Sequence, residues 1–162
     1  MKRLEKGSLI WGTVLGVLCV VSVLLYLFVG NGQVKRVLFF PDDTVTRTVG
    51  ETRMLPKVKG DEENIEVLLK ELILGPVDLS LRPLLPKHTK VRTCMLRKKT
   101  LYVDFSPELI VGKEKISLSV DEALAGVERS LRFNFPRIEE ILFFIDGEMY
   151  SPGGSVRAAG NE

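Results

Sequence analysis

The sequence predicts an α+β fold, a small mixed sheet with two main helices largely on one face, preceded by one transmembrane helix. Three observations predict it: an uncharged stretch of 23 residues near the start, two segments with apolar residues at helical spacing, and several short β-rich segments. The order strand, strand, helix, hairpin, helix, strand is typical of an α+β layer fold.

The first 33 residues predict a membrane anchor. Residues 1–7 form a basic cytoplasmic tip, and residues 8–30 are apolar and uncharged. A helix needs about 20 residues to cross the hydrocarbon core, and a positive flank favours the cytoplasmic side. A cleaved signal peptide has a shorter apolar stretch, and a lipoprotein signal would have a small residue where Leu18 precedes Cys19. We therefore expect an uncleaved, single-pass signal anchor in the cell membrane, a linker at 31–33 and an extracytoplasmic C-terminal domain.

Two β-rich segments precede the first helix. Val34–Phe40 predicts a strand that ends at Pro41, and Thr44–Leu55 predicts one or two shorter strands broken near Gly50. The first strand and the last, Ile138–Ile145, are apolar at consecutive positions, which is typical of strands covered on both faces. Because the helices cover one face, we expect the other to be covered by the Thr44–Leu55 segment or by a partner.

Two segments carry the signals of helices. We expect Asp61 to cap the first helix and Gly75 to end it. The second begins at Ser119, which is expected to form a capping box with Glu122. The predicted buried faces are Ile65, Leu68, Leu69 and Leu72 in the first helix, and Val120, Leu124, Val127 and Leu131 in the second.

The remaining segments predict a hairpin, a turn and a tail. Leu79–Leu85 is expected to form a short turn of helix, and Val91–Arg97 and Thr100–Phe105 a hairpin around two lysines. Asp146-Gly147 is a strong turn signal after the last strand, with a short returning strand at 148–150. The folded domain is therefore predicted over 34–150, and residues 151–162 are expected to form a disordered tail.

The charge distribution argues against several functions. The formal net charge of +2 belongs to residues 1–7, which leaves 20 of the 23 basic and 20 of the 21 acidic residues for the rest of the chain. Nucleic-acid binding depends mostly on neutralising phosphates, so we expect no nucleic-acid partner. One His and two Cys do not support a zinc site or a disulfide framework, and we expect no metal and no cofactor.

A series of short motifs runs in order through residues 36–150. They are VLFFPD at 37–42, ETR at 51–53, LILGP at 72–76, LPKHTKV at 85–91, LYVDFS at 101–106 and IDG at 145–147. The series resembles the GerMN domains of spore-germination, sporulation and other bacterial envelope proteins. The resemblance implies a fold similar to ring-building modules, an extracytoplasmic tethered protein that binds envelope components, and no catalysis. Many relatives are lipoproteins or carry two copies, whereas this chain has one copy after a predicted span.

Candidate catalytic side chains have structural interpretations. His88 is expected in a surface loop and Cys94 as a small buried residue. Asp104 and Glu108 resemble the paired carboxylates of a glycosidase acting on the cell wall. However, Asp104 alternates with the apolar positions of its strand and should face away from the core, so we expect strand-end and turn roles for both carboxylates.

One basic run is a candidate surface-binding patch. Its six residues are Lys87, Lys90, Arg92, Arg97, Lys98 and Lys99. Such a patch near a bilayer suits anionic headgroups or wall polymers, whereas a solvated hairpin with its approach loop explains the same charges.

These observations lead to a functional prediction. We expect a non-enzymatic membrane protein whose exported domain mediates association with envelope proteins or with itself. The alternative is a module that binds peptidoglycan, for which a groove lined by Tyr102 and Phe133 would argue. A wall-active hydrolase that uses Asp104 and Glu108 is the third hypothesis.

Overall fold

The structure, a computed structural model, describes residues 2–28, 32–112, 118–152 and 154–157. The chain divides into two units, Met1–Gly32 and Gln33–Glu162. The first unit contains helix α1 (Lys2–Phe28), whose side chains are described over 11–24. Among the described residues, no helix combines the length and the apolar character needed to cross a membrane. The predicted transmembrane helix over 8–30 stays a prediction.

The described part of the second unit alternates strands with helices. Its strands are β1 (Gln33–Pro41), β2 (Thr48–Pro56), β3 (Val91–Arg97), β4 (Thr100–Phe105), β5 (Glu140–Ile145), β6 (Glu148–Ser151) and β7 (Gly154–Arg157). Its helices are α2 (Asp61–Leu74), α3 (Glu108–Val111) and α4 (Val120–Asn134).

Strands β1 and β2 form a separate antiparallel sheet, so the prediction of one sheet is wrong. The reason is that side chains of α4, and no further strand, occupy the outer edge of β1. The predicted break near Gly50 is also wrong, because β2 continues through it with Gly50 opposite Phe39. A Cβ at Gly50 would lie 2.9 Å from Val37 Cγ1, so glycine lets β1 side chains pack over the strand.

The other five strands form a mixed sheet in the order β3-β4-β5-β6-β7. Only β4 and β5 pair in parallel; the other neighbours are antiparallel. The predicted turn after β5 is confirmed, with Asp146 and Gly147 at φ of 56° and 81°. Residues 154–157, within the predicted tail, pair with β6 as β7, and the expectation of a disordered tail over 151–162 stays a prediction. Residues 153 and 158–162 of the predicted tail lie outside the described residues.

The helix boundaries match the sequence analysis with two corrections. The capping box of Ser119 and Glu122 is confirmed at the start of α4. Asp61 is not a cap: Gly60 precedes α2 at a φ of 97°, and Asp61 is the first helical residue. Residues 79–85 form a turn, a single bridge and a bend, and no helix, because Leu81 pairs with Asp42 just after β1.

One core joins the two sheets and the helices. The predicted face of α2 is buried, and in α4 Val120 alone of the predicted stripe is only partly buried. The buried positions of β4 alternate, with Leu101, Val103 and Phe105 all at 0% exposure. The core therefore covers one face of the five-stranded sheet and leaves the opposite face without helices from the core.

Candidate interaction surfaces

The outward face of the five-stranded sheet carries an apolar stripe. Tyr102 lies opposite Met95 of β3 and Leu142 of β5, and Phe144 lies opposite Met149 of β6. The Tyr102 and Phe144 rings are 6.4 Å apart. These five residues, which we call the outer stripe, are all partly or fully exposed, and none belongs to the core.

The prediction that the Thr44–Leu55 segment covers this face is therefore wrong. Most of that segment lies in β2, which pairs edge to edge with β1 and leaves Leu142 and Phe144 half-exposed. Apolar residues next to solvent on a sheet face are typical of a binding surface. The second alternative, cover by a partner, stays a prediction.

Ion pairs lie at both ends of the outer stripe. Arg92 pairs with Asp146 and, at 3.7 Å, with Asp104 at one end of β4. At the other end Lys99 pairs with Glu139. A centre rich in aromatic residues and methionine with a polar rim is typical of protein–protein interfaces.

The six predicted patch residues are all exposed but form two groups. Arg92 and Arg97 lie five residues apart on β3, which separates them by about 17 Å at the rise of a strand. Lys87, Lys90 and Arg92 lie near the start of β3; Arg97, Lys98 and Lys99 lie at the hairpin turn. Because Arg92 and Lys99 are also ion-paired, the surface is less basic than the sequence indicates. Its binding role stays a prediction.

An open, largely apolar cleft of about 550 Å³ lies beside His88. It is lined by Pro83, Leu85, Pro86, Lys87, His88, Glu108, Val111 and Gly112. The Ser106 hydroxyl, aided by Lys90 and His88, lowers the pKa of Glu108. A cleft of this size with apolar walls and a few polar groups suits a small ligand.

The two candidate hydrolase carboxylates have separate hydrogen-bond partners. Asp104 faces away from the core, as predicted, and its Oδ1 accepts the Gly147 N–H at 3.1 Å. Glu108 is the first residue of α3, where Ser106 is the main cause of its lowered pKa. Both arrangements match the strand-end and turn roles expected from the sequence.

Cys94 is half-buried between β3 and α2. Burial, and then the nearby Glu66, Glu62 and Glu63, raise the pKa of its thiol to about 12. Glu62 itself accepts the Leu96 N–H at 2.7 Å and so covers the edge of β3. Within the described residues, no group of three or more His, Cys, Asp or Glu is placed to hold a metal ion.

The two aromatics expected in a ligand groove pack against different sheets. Tyr102 contacts Phe144 on the five-stranded sheet, whereas Phe133 of α4 contacts Phe39 of β1, with 5.4 Å between ring centroids. The structure therefore does not bring them together. Sequence analysis missed the outer stripe, although the alternation that turned Asp104 outward places Tyr102 on the same face.

Comparison with known proteins supports a family assignment. The family model described as "Germane: Sporulation and spore germination" matches residues 37–151. The solved first GerMN domain of the sporulation protein GerM from Bacillus subtilis is 25% identical, with a TM-score of 0.58, over 78% of this chain and 94% of that chain. The tandem GerMN domains of the same protein are 23% identical, with a TM-score of 0.60, over 81% of this chain and 46% of that chain. No curated protein matched.

The family match begins in β1 and ends in β6, so it includes most of the β1–β2 sheet, strands β3 to β6 and the helices α2, α3 and α4. It covers more than half of the chain. The chain therefore belongs to the Germane family of sporulation and spore germination, as a GerMN-like domain.

Proposed function

We propose that this protein is a non-catalytic association module of the bacterial cell envelope, which binds another envelope protein through the outer stripe. The outer stripe carries the proposal, since it places Tyr102, Leu142 and Phe144 side by side at the surface. Aromatic residues and methionine are enriched at interface centres, and burial of such side chains supplies most of the binding free energy.

The anchor belongs to the same proposal. Residues 8–30 are uncharged and follow a basic tip, which supports a single span with the N-terminus in the cytoplasm. The family of sporulation and germination domains supports an envelope location. Alkaline washing of membranes should leave the full chain in the pellet; release of the chain into the wash would contradict the anchor.

The test is capture of the partner by the full chain, cross-linked in intact cells and purified from them. Tyr102→Ser and Phe144→Ser remove outward rings without touching the core, so we expect each to reduce the captured partner about tenfold or more, as hot-spot residues do. Leu79→Ser is the matched control, since Leu79 is 99% exposed and lies outside the strands. Equal capture by the stripe variants and the control would contradict the proposal.

A cell-wall ligand is the second candidate, favoured by the cleft beside His88. Its apolar walls and the adjacent Lys87 suit a wall peptide that carries a carboxylate. Purified muropeptides should then bind the full chain, and Val111→Glu, which places a negative charge in the cleft, should abolish that binding. Muropeptide binding together with unchanged capture by the stripe variants would favour this candidate over the first.

A further inference from the structure

The two outer edges of the β1–β2 sheet differ. On the β1 side, the Val37 N–H donates to Asn134 Oδ1 at 3.0 Å, and Asn134 Nδ2 donates back to the Val37 carbonyl at 2.6 Å. The Phe39 N–H donates to Ser130 Oγ at 3.1 Å. Side chains of α4 therefore satisfy the edge of β1.

The β2 side has no such cover. Because Val37 and Phe39 direct their N–H groups away from β2, their partners Thr52 and Gly50 direct theirs away from β1. Every second residue of a strand directs its N–H to the same side, so the N–H of Met54 also points away from β1. Among the described residues, the backbone groups of Gly50, Thr52 and Met54 have no hydrogen-bond partner. They form the open edge of β2.

The open edge is long and accessible. β2 has nine residues, Thr48, Gly50, Thr52 and Met54 are all exposed, and Met54 is 58% exposed. By contrast, the edge of β3 is covered by Glu62 and carries a register irregularity between Val91 and Thr93. Unprotected edges of this length readily pair with another strand, and a sheet of two strands is only marginally stable by itself.

We propose that β2 pairs antiparallel with β2 of a second copy of this chain, about a twofold axis at Thr52. This inference rests on the proposed association function and specifies one contact within it. It differs from the outer stripe in surface and in partner. A twofold contact is closed, so it stops at a dimer.

Charge complementarity selects this register. An axis at Thr52 places Glu51 of each chain opposite Arg53 of the other, and Thr52 opposite Thr52. An axis at Glu51 or at Arg53 would place a like charge opposite itself, which is destabilising. Glu51 and Arg53 already pair within one chain at 2.6 Å, so the twofold axis at Thr52 brings two such neutralised pairs side by side.

The same register buries exposed apolar side chains. Met54 of one chain, which is 58% exposed, lies opposite Gly50 of the other chain in this register. Val49, which is 44% exposed, lies opposite Leu55 of the other chain. The result is a continuous four-stranded sheet in which α4 side chains cover both outer edges.

The test is disulfide cross-linking of the full chain in intact cells, in a Cys19→Ser, Cys94→Ala background. A cysteine replacing Thr52 lies on the twofold axis, where opposed Cα atoms are about 5.5 Å apart, within disulfide range. Under mild oxidation, Thr52→Cys should give at least about tenfold more covalent dimer than Thr48→Cys. The control replaces the same residue type in the same strand, but its two copies would lie about 27 Å apart.

A double variant tests the same register without relying on Thr52→Cys. Thr48 lies opposite Pro56 of the second copy, so Thr48→Cys with Pro56→Cys should restore the covalent dimer that Thr48→Cys lacks. Equal yields for Thr52→Cys and Thr48→Cys, or cross-linking of Thr52→Cys only to a different protein, would overturn the second-copy proposal.

The outcome is separable from the proposed function. Loss of the dimer with normal partner capture contradicts only the pairing of β2. Retention of the dimer with unchanged capture by Tyr102→Ser and Phe144→Ser contradicts only the role of the outer stripe.

Discussion

Several carboxylates in this domain accept backbone N–H groups that no strand or helix satisfies. Glu62 accepts the Leu96 N–H at the edge of β3, and Asp104 accepts the Gly147 N–H in the turn after β5. Glu51 Oε2 accepts the Val77 N–H at 3.0 Å in the segment after α2. An unsatisfied buried donor costs about 1–3 kcal/mol. These carboxylates therefore have structural roles, although in the sequence alone they look like candidate catalytic acids.

Cys94 gives a test at the scale of one residue. Its pKa of about 12 leaves almost no thiolate at pH 8, and the thiolate is the reactive form. We expect iodoacetamide to modify Cys94 in the folded chain about a hundredfold more slowly than in urea, as measured by mass spectrometry of its peptide. Thr93→Cys in a Cys94→Ala background provides an exposed control on the same strand. Equal rates for Cys94 and the control would show that the thiol is accessible.

At the scale of elements, α4 stabilises both the core and a strand edge. Its inner face contributes Leu124, Val127 and Leu131 to the core, while Ser130 and Asn134 bind the backbone of β1. Ser130 Oγ also donates to the Gly126 carbonyl at 2.9 Å, which orients the hydroxyl toward the strand. The helix thus takes the place of a third strand beside β1.

Asn134→Ala tests whether the contacts between α4 and the edge of β1 stabilise the domain. It removes both partners of Val37 and leaves two backbone groups unsatisfied, so we expect the free energy of unfolding to fall by about 1–3 kcal/mol. Urea unfolding of the full chain, followed by circular dichroism, measures the change. Arg137→Ala, at an exposed position nearby, should change it by less than about 0.5 kcal/mol. If Asn134→Ala lowers the free energy of unfolding no more than Arg137→Ala does, the hydrogen bonds between Asn134 and Val37 add nothing to stability.

At the scale of the whole domain, Arg53 connects the small sheet to α2. Its guanidinium pairs with Glu51 at 2.6 Å and Glu71 at 2.9 Å, and donates to the Gly75 carbonyl at 2.6 Å. The Arg53 and Glu51 side chains are only 11% and 15% exposed. Burial alone raises the pKa of Glu51, but the Asp78 N–H and Arg53 outweigh it, and the pKa is lowered overall.

Because the pKa of Glu51 is lowered in the folded chain, its contribution to stability is present above its ordinary value of 4.5 and is lost as pH falls below it. Arg53→Met should therefore lower the free energy of unfolding by about 2 kcal/mol at pH 7 and by less at a pH below the lowered pKa of Glu51. Urea unfolding at both pH values measures this. Lys70→Met, which breaks an exposed pair with Glu66, should cost less than about 1 kcal/mol at either pH. A cost for Arg53→Met that does not change with pH would contradict the role of Glu51.

The sequence by itself determined the features that depend on neighbouring residues. The capping box at Ser119, the buried face of α2, the hairpin at Lys98 and the turn at Asp146 each involve residues within about ten positions. Local hydrogen bonds and backbone preferences are sufficient for such features. The motif series also identified the family, which the match over 37–151 confirms.

Only the tertiary structure decided how these elements combine. Asn134 binds Val37 across 97 positions and Glu62 binds Leu96 across 34. No local periodicity signals either contact. These long-range contacts cover the edges of β1 and β3, so the strands divide into two sheets. The edge of β2 stays open, and the outer stripe stays exposed. The physical reason is that strand pairing and edge cover require backbone groups to find partners distant in sequence, and that choice depends on which side chains the packed core brings beside them.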